Sequence, residues 1–249
     1  MSTIEEFLFY SNQTNSVEEL CSLFQKSLEI MGFNKYRYGF LTEHKSVGKP
    51  ANHGLQYNFP DDWMKHYIES GYLDVDPVKN QLSVSRTPFR WDKIDYFLKL
   101  NEKEKKVLEE AKDAGLIKGV GLAIHTGPGE VAGFGIASDF KDLEVTDVML
   151  QKINLLAFQF HHRYLSLLQV PEQVADRIVL TSREKDVLSW LASGKSSSVI
   201  GEILSISENT VNYHIKQCHK KLEANNRILP VTKAIRLGLI DLISPKFII

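Results

Sequence analysis

Thr181–Leu222, TSREKDVLSWLASGKSSSVIGEILSISENTVNYHIKQCHKKL, reads as three short amphipathic segments separated by two breaks of small residues. The first, Thr181 to Leu191, opens on polar and acidic residues. Ser182 can cap a helix there, and Val187, Leu188 and Leu191 form its apolar stripe before Gly194 ends it. Ser197 to Leu204 is a second, shorter helix with Val199, Ile200, Ile203 and Leu204 apolar, and its Gly201 leaves room for a second helix to come close. Ser205-Ile206-Ser207 is the turn, and Ser207 can accept a hydrogen bond from the Thr210 amide. In the third segment, Glu208 to Leu222, the residues Val211, Ile215, Cys218 and Leu222 recur at helical spacing and make one buried stripe. Asn209, Thr210, Asn212, Tyr213, Lys216 and Lys220 are left for the other side. Amide side chains there can read adenine edges, and lysines can neutralise phosphates. Two helices joined by a three-residue turn, the second polar and basic outside, is the helix-turn-helix arrangement. The plainer alternative is a small solvated helical bundle.

Charge is distributed in keeping with that reading. The chain has 249 residues and a net charge of −1. From Asp176 to the end it carries 11 Lys/Arg against 7 Asp/Glu, leaving 19 against 24 in front. A mildly basic tail behind an acidic front is the asymmetry expected when only the tail meets nucleic acid. Gly194-Lys195-Ser196 is no phosphate-binding loop, since the position five before Gly194 holds Ser189 and a helix precedes it where a strand is needed.

The front of the chain alternates helix and strand signals. Ser16 to Met31 has Leu20, Phe24, Leu28 and Met31 at helical spacing, stopped by Gly32. Tyr36, Tyr38 and Phe40 alternate with Arg37, Gly39 and Leu41 as in a strand. Pro60 to Gly71 and Asn101 to Gly115 read as helices. The first carries Asp61 and Asp62 in its opening turn; the second is capped by Asn101, with Val107, Leu108 and Ala111 inward. Gly119–His125 and Gly133–Ser138 read as strands joined by Thr126-Gly127-Pro128-Gly129, and Asp147 to Leu168 as a long helix. Gln169 to Arg177, polar and holding Pro171, is expected to be a linker. The division is therefore residues 1–168, a linker at 169–177, and residues 178–249, an α+β front and an all-helical back.

Composition excludes some classes. The apolar fraction of 43% and charged fraction of 24% are ordinary for a globular protein. No apolar run approaches the length of a bilayer span, and Met1 to Asn12 has acids but no basic residue, unlike a secretory leader. A cytoplasmic protein that does not engage membranes is expected. The two cysteines, Cys21 and Cys218, offer neither a disulfide framework nor a paired metal motif, so no cofactor is expected.

Leu180 to Ile240 resembles the DNA-binding domain of the LuxR family of bacterial regulators, with its signature positions at Glu184, Leu188 and Gly194. Residues 59–91, FPDDWMKHYIESGYLDVDPVKNQLSVSRTPFRW, together with Gly119 in GLIKGVGLAIH, are similar to the autoinducer-binding domain of quorum-sensing members of that family. Trp63, Tyr67, Asp76, Pro77 and Trp91 fill the shared spacing. The resemblance implies an α-β-α sandwich around an antiparallel sheet, followed by a four-helix helix-turn-helix domain whose last helix, at about Pro230 to Leu239, supports dimer contacts. It implies an N-acyl homoserine lactone as effector, double-stranded DNA and a second copy of the chain as partners, and RNA polymerase as a further one.

In such a site Trp63 would donate to the lactone carbonyl, Asp76 would accept from the amide N–H, Tyr67 would reach the amide carbonyl, and Trp91 would wall the lactone ring. Phe59, Val78, Tyr96 and Ala111 complete the implied site together with Leu116, Gly121 and Gly135, and with Gly39 and Leu41 on the first strand. Phe59 stands where the family often has Tyr, and Gly135 where it often has Ser or Thr, which leaves the exact ligand open but not its class; a regulator of the same family that responds to a non-lactone small molecule is the alternative. A lactone-degrading enzyme is the contrasting function, but the adjacent His161 and His162 point to different helix faces and form no metal cluster.

Overall fold

The computed structural model describes residues 3–44, 50–51, 53–127, 129–168 and 178–240. The chain forms two compact units, one built from Met1–Thr126 with Glu130–Val170 and the other around Pro171–Ile249. The expected linker, 169–177, and Pro128 of the expected hairpin turn lie outside the described residues.

In the front unit a five-stranded sheet runs in the order β2-β1-β5-β4-β3, with β1 Lys35–Phe40, β2 His53–Tyr57, β3 Phe89–Arg90, β4 Lys118–Gly127 and β5 Glu130–Ser138. β1 pairs antiparallel with both β2 and β5, and β3 with β4. Helices α1 (Thr3–Ser11), α2 (Val17–Glu29) and α6 (Asp147–Leu167) accompany one face. The alternation in β1 sends Tyr36, Tyr38 and Phe40 into their core, where Phe24, Phe134 and Phe160 pack edge-on and tilted around them. Three such rings bury enough apolar surface to contribute several kcal/mol, on the order of 2–3 each. The same alternation turns Arg37, Gly39 and Leu41 to the opposite face. There α3 (Asp61–Glu69), α4 (Pro77–Val84) and α5 (Glu102–Asp113) bring a second, smaller set of apolar groups, so both faces of the sheet are covered.

Local signals explain the helix ends. Ser16 caps α2 by accepting from the Glu19 amide, and Asn101 caps α5 in a capping box closed by Glu104. Gly32 follows α2 with φ +85°, a left-handed turn that a side chain would strain.

The back unit contains α7 (Ser182–Ala192), α8 (Ser197–Leu204), α9 (Glu208–Lys221) and α10 (Leu229–Arg236). One expectation shifts here and another widens. The cap of α7 is Thr181, one residue earlier than Ser182, because Thr181 can close a capping box with Glu184 and Ser182 cannot. Gly201 makes room for the turn as well as for the start of α9, whose Glu208 nitrogen would lie 3.4 Å from a Cβ there. A Cβ there would meet the Ile206 carbonyl oxygen at 2.7 Å, and the Ile206 amide donates to the Gly201 carbonyl at 2.9 Å. That contact holds the α8–α9 turn closed, with Ser205 in the left-handed region at φ 54°. Pro230 sits in the first turn of α10, where its missing N–H costs nothing.

Candidate functional site

On the α3–α5 side of the sheet lies a cavity of about 110 Å³. Its floor comes from Arg37 and Gly39 of β1, Leu41 just after it, and Gly133 and Gly135 of β5, and its roof from Trp63, Met64 and Tyr67 of α3 and Val78, Lys79 and Leu82 of α4. Val107, Leu108 and Ala111 of α5 close it with Phe59, Leu73, Trp91 and Leu116. The walls are mostly apolar, with a small polar group concentrated around Tyr67 and Asp76, the composition typical of small-molecule sites.

The polar centre is built by the start of α4. Asp76 is its N-cap: Oδ1 accepts from the amides of Val78 at 2.8 Å and Lys79 at 3.3 Å. Pro77 at the first helical position pre-sets the backbone. The other carboxylate oxygen accepts from the Tyr67 hydroxyl at 2.7 Å. Burial raises the Asp76 carboxyl above its usual range, against the pull of Tyr67 and the two amides. Burial and that carboxylate together hold the Tyr67 phenol far above its ordinary value. The Tyr67 proton is thus committed to Asp76. To serve a ligand carbonyl as expected, Tyr67 must release Asp76, and a ligand N–H is the donor that can take its place. The Trp63 indole N–H makes no hydrogen bond among the described residues, which leaves it available to a ligand oxygen.

Gly119 lies beneath Trp91: a Cβ at that position would sit 2.0 Å from Trp91 Cδ2. The glycine lets the indole lie flat against β4 and form the cavity wall, its Nε1 buried without a partner among the described residues.

Three residues implied by resemblance do not line the cavity. Tyr96 ends the 3-10 turn Trp91–Tyr96, which carries it outward. It is 75% exposed, with Lys93 Nζ 5.0 Å from its ring centre. Gly121 is covered by the Phe89 ring, 2.4 Å from where a Cβ would be, so it makes room for packing between strands. Pro77 is buried at the α4 start and shapes Asp76 without facing the void. Sequence spacing missed Met64, Leu73, Lys79 and Leu82. These come from separate turns and helices, and Met64 and Leu82 carried only the ordinary signal of apolar helix positions.

The second candidate surface is α9. Val211, Ile215, Cys218 and Leu222 are buried against α7 and α8, and Asn209, Asn212, Tyr213, Lys216 and Lys220 are exposed. Thr210 differs: it is half-buried, and its hydroxyl pairs with that of Ser207 at 2.8 Å, which itself caps the Thr210 amide. The back end of α9 is anchored by a largely buried ion pair. Lys221 Nζ donates to Glu184 Oε2 at 2.7 Å, and the Thr181 amide donates to the same oxygen at 2.7 Å. Burial pushes the Glu184 carboxyl up, but these partners outweigh it and hold it below its usual range. Leu188 is fully buried, and Gly194 ends α7 at φ +75°. The three signature positions therefore fix the scaffold under α9. Among the described residues there is no cluster of His, Cys, Asp or Glu able to hold a metal ion, and no helix is long and apolar enough to cross a membrane.

Residues 16–164 match the family model of the autoinducer binding domain, and residues 178–234 that of bacterial regulatory proteins of the luxR family. VanR of Vibrio anguillarum, named a transcriptional activator protein, is 33% identical over 185 residues, covering 74% of this chain and 76% of that one. The HTH-type transcriptional regulator y4qH of Sinorhizobium fredii is 33% identical over 207 residues; the match takes in 82% of this chain and 63% of that longer protein. Among solved structures, SdiA in complex with octanoyl-rac-glycerol superposes with a TM-score of 0.62 at 24% identity, over 95% of this chain and 94% of the other, and shares its fold.

Proposed function

The chain belongs to the LuxR family of autoinducer-binding, DNA-binding transcriptional regulators, and on that premise we propose that its cavity takes an N-acyl homoserine lactone. The family is one of regulators, not enzymes. The observation that carries the ligand reading is the convergence of Trp63, Tyr67 and Asp76 on one side of a mostly apolar cavity walled by Trp91. An acyl homoserine lactone offers two carbonyl acceptors, one N–H donor and an apolar tail. Trp63 serves the lactone carbonyl, Asp76 the amide N–H, Tyr67 the amide carbonyl, and Leu82, Val107, Leu108 and Leu41 surround the tail. Ligand completes the core on that side of the sheet and stabilises the front unit by mass action.

The regulator works in the cytoplasm. The division at residues 169–177 separates the sensing unit from the DNA-binding one. Two copies then place their α9 helices in successive major grooves of a roughly palindromic site, with Asn209 and Asn212 facing base edges and Lys216 and Lys220 facing phosphates. RNA polymerase is the partner such a DNA-bound dimer would recruit.

Thermal unfolding against lactones of graded chain length, with octanoyl glycerol alongside, tests the ligand reading. An ester lacks the N–H that Asp76 accepts, so the lactone should raise the midpoint further at equal chain length. At a hundredfold excess over Kd the gain is about 2.7 kcal/mol. No rise with any lactone, in folded protein that binds DNA, would overturn the lactone assignment. For the DNA surface, Lys216→Ala removes one phosphate contact from each of the two copies, so it should weaken binding to specific and random duplexes alike, about 60-fold at 0.1 M salt, and lower the salt slope by about 1.8. An unchanged slope would remove Lys216 from the phosphate contacts.

A further inference from the structure

The cavity holds a charge that its own walls leave unmatched. Arg37 reaches it from β1 and is half-buried. No hydrogen bond or ion pair to its guanidinium occurs among the described residues. Lys79, the other cation on the wall, donates to the Leu73 carbonyl at 2.8 Å. Asp76 is already occupied by Tyr67 and the two backbone amides. A guanidinium cannot discharge itself by losing a proton. Holding one at the edge of an apolar cavity without an acceptor is costly. What fills the cavity can supply the missing acceptor.

The register of the sheet says where along the ligand that acceptor lies. Arg37 is the Cα partner of Gly135 on β5. A Cβ on Gly135 would lie 3.5 Å from Trp91 and 3.6 Å from Phe59, so this rung of the ladder is at the indole end of the cavity. The charge of Arg37 also acts on the Tyr67 hydroxyl. The next inward rung, Gly39 opposite Gly133, is about 7 Å further along the strand, with Leu41 beyond it. Arg37 therefore meets the ligand beside its amide and not at the far end of its tail.

Resting on the lactone reading, we infer that Arg37 selects an acyl chain bearing an acceptor oxygen, a carbonyl or a hydroxyl, on the carbon β to the amide carbonyl. Such an oxygen stands in a 1,3 relation to the amide oxygen, so both can lie on one side of the chain. Two acceptors side by side suit the paired N–H groups of the guanidinium fork. The absence of a hydroxyl at Phe59 and of any side chain at Gly135 leaves Arg37 as the charged donor on that stretch of wall, beside the Trp91 indole N–H. An unsubstituted chain would offer the fork one acceptor, the amide oxygen, and bury carbon against its other N–H groups.

The test is direct titration of three lactones of equal chain length, unsubstituted, 3-oxo and 3-hydroxy, against the wild type, Arg37→Met and Arg37→Lys in the full chain. Wild type should bind at least one of the oxygenated ligands about 10- to 100-fold more tightly than the unsubstituted one, the range for a hydrogen bond to a charged group. Arg37→Met should bring the Kd values to within about threefold, chiefly by weakening the oxygenated ligand, and Arg37→Lys should keep part of the preference. Equal or tighter binding of the unsubstituted lactone by wild type overturns the inference without any variant, even where Arg37→Met fails to fold. A preference that survives in folded Arg37→Met overturns it too. Binding of no lactone by wild type is a different result: it removes the lactone reading, and the inference with it.

Discussion

A Gly119→Ala variant should unfold about 6–12 °C below the wild type and lose most of its stabilisation by ligand. The added Cβ would sit 2.0, 2.1 and 2.6 Å from Cδ2, Cε3 and Cε2 of Trp91. Cδ2 and Cε2 are the ring-fusion atoms of the indole and Cε3 is bonded to Cδ2, so no small rotation of a side-chain tip relieves the contact. The backbone has little freedom either. β4 lies between β5 and β3, and the pairing of Phe89 with Gly121 and Arg90 with Val120 carries Trp91 directly over Gly119. Either the indole leaves the wall or the sheet spreads. Overpacking of this kind costs up to about 3 kcal/mol, which sets the fall in midpoint for a chain of this size. Because Trp91 is the cavity wall, its displacement removes the ligand's surface in the same event. Adding Trp91→Ala to Gly119→Ala should cost far less than the two changes summed, with a coupling of about 1–3 kcal/mol. A single variant melting within 2 °C of wild type would show that the indole has another seat.

How much of this was legible in the sequence depends on how local the signal was. The bounds of α8, Ser197–Leu204, follow from Ser196 and the Ser205–Ser207 turn, because caps and small-residue breaks act within four residues. The two faces of β1 were legible because period-2 alternation is set by the chain itself. β3 was not: two residues between Pro88 and Trp91 carry no period, and only pairing with β4 makes them a strand. α4 was hidden for another reason. Asp76-Pro77 reads equally as a turn, and the helix it opens is eight residues long with a weak apolar stripe. α1 was passed over because its apolar run, Phe7 to Tyr10, circles the helix, leaving Phe7 buried while Phe9 and Tyr10 are exposed.

In the cavity, Trp63 and Tyr67 share one helix and one face, so spacing found both. Tyr96 was expected from the resemblance alone, and the 3-10 turn that follows Trp91 carries it outward. Arg37 was visible as facing the ligand side. Its lack of a partner was not, since that depends on every element around it.

Asp76→Asn should leave the protein nearly as stable as wild type and weaken lactone binding at least about 100-fold. The carboxylate has two separable tasks. Oδ1 caps α4 through the amides of Val78 and Lys79, and an asparagine carbonyl can take over that role. Oδ2 accepts from Tyr67 at 2.7 Å and is the acceptor for a ligand N–H. An amide NH₂ in its place is a donor: the Tyr67 oxygen can still accept from it, but it opposes the ligand's own donor. A hydrogen bond to a charged group is worth about 1.5–3 kcal/mol, and facing donors add to that loss. Asp76→Ala instead removes the cap as well, at about 1 kcal/mol, and leaves the Tyr67 hydroxyl without its acceptor. Comparing the two variants separates ligand recognition from folding.

The pH dependence gives an independent check on the same atom. Burial raises the Asp76 carboxyl above its usual 3.8. In the free protein the folded state therefore holds this proton more tightly than the unfolded chain does. Its stability falls as pH rises from about 4 through the raised value. Ligand reverses the preference, because the amide N–H favours the ionised carboxylate. Binding should then weaken by up to about tenfold for each pH unit below the raised value, and reach a plateau above it. Asp76→Asn should show no such slope. A wild-type affinity independent of pH across the carboxylate range, or an Asp76→Asn protein that binds as tightly as wild type, would mean that the amide N–H finds its acceptor elsewhere on the cavity wall.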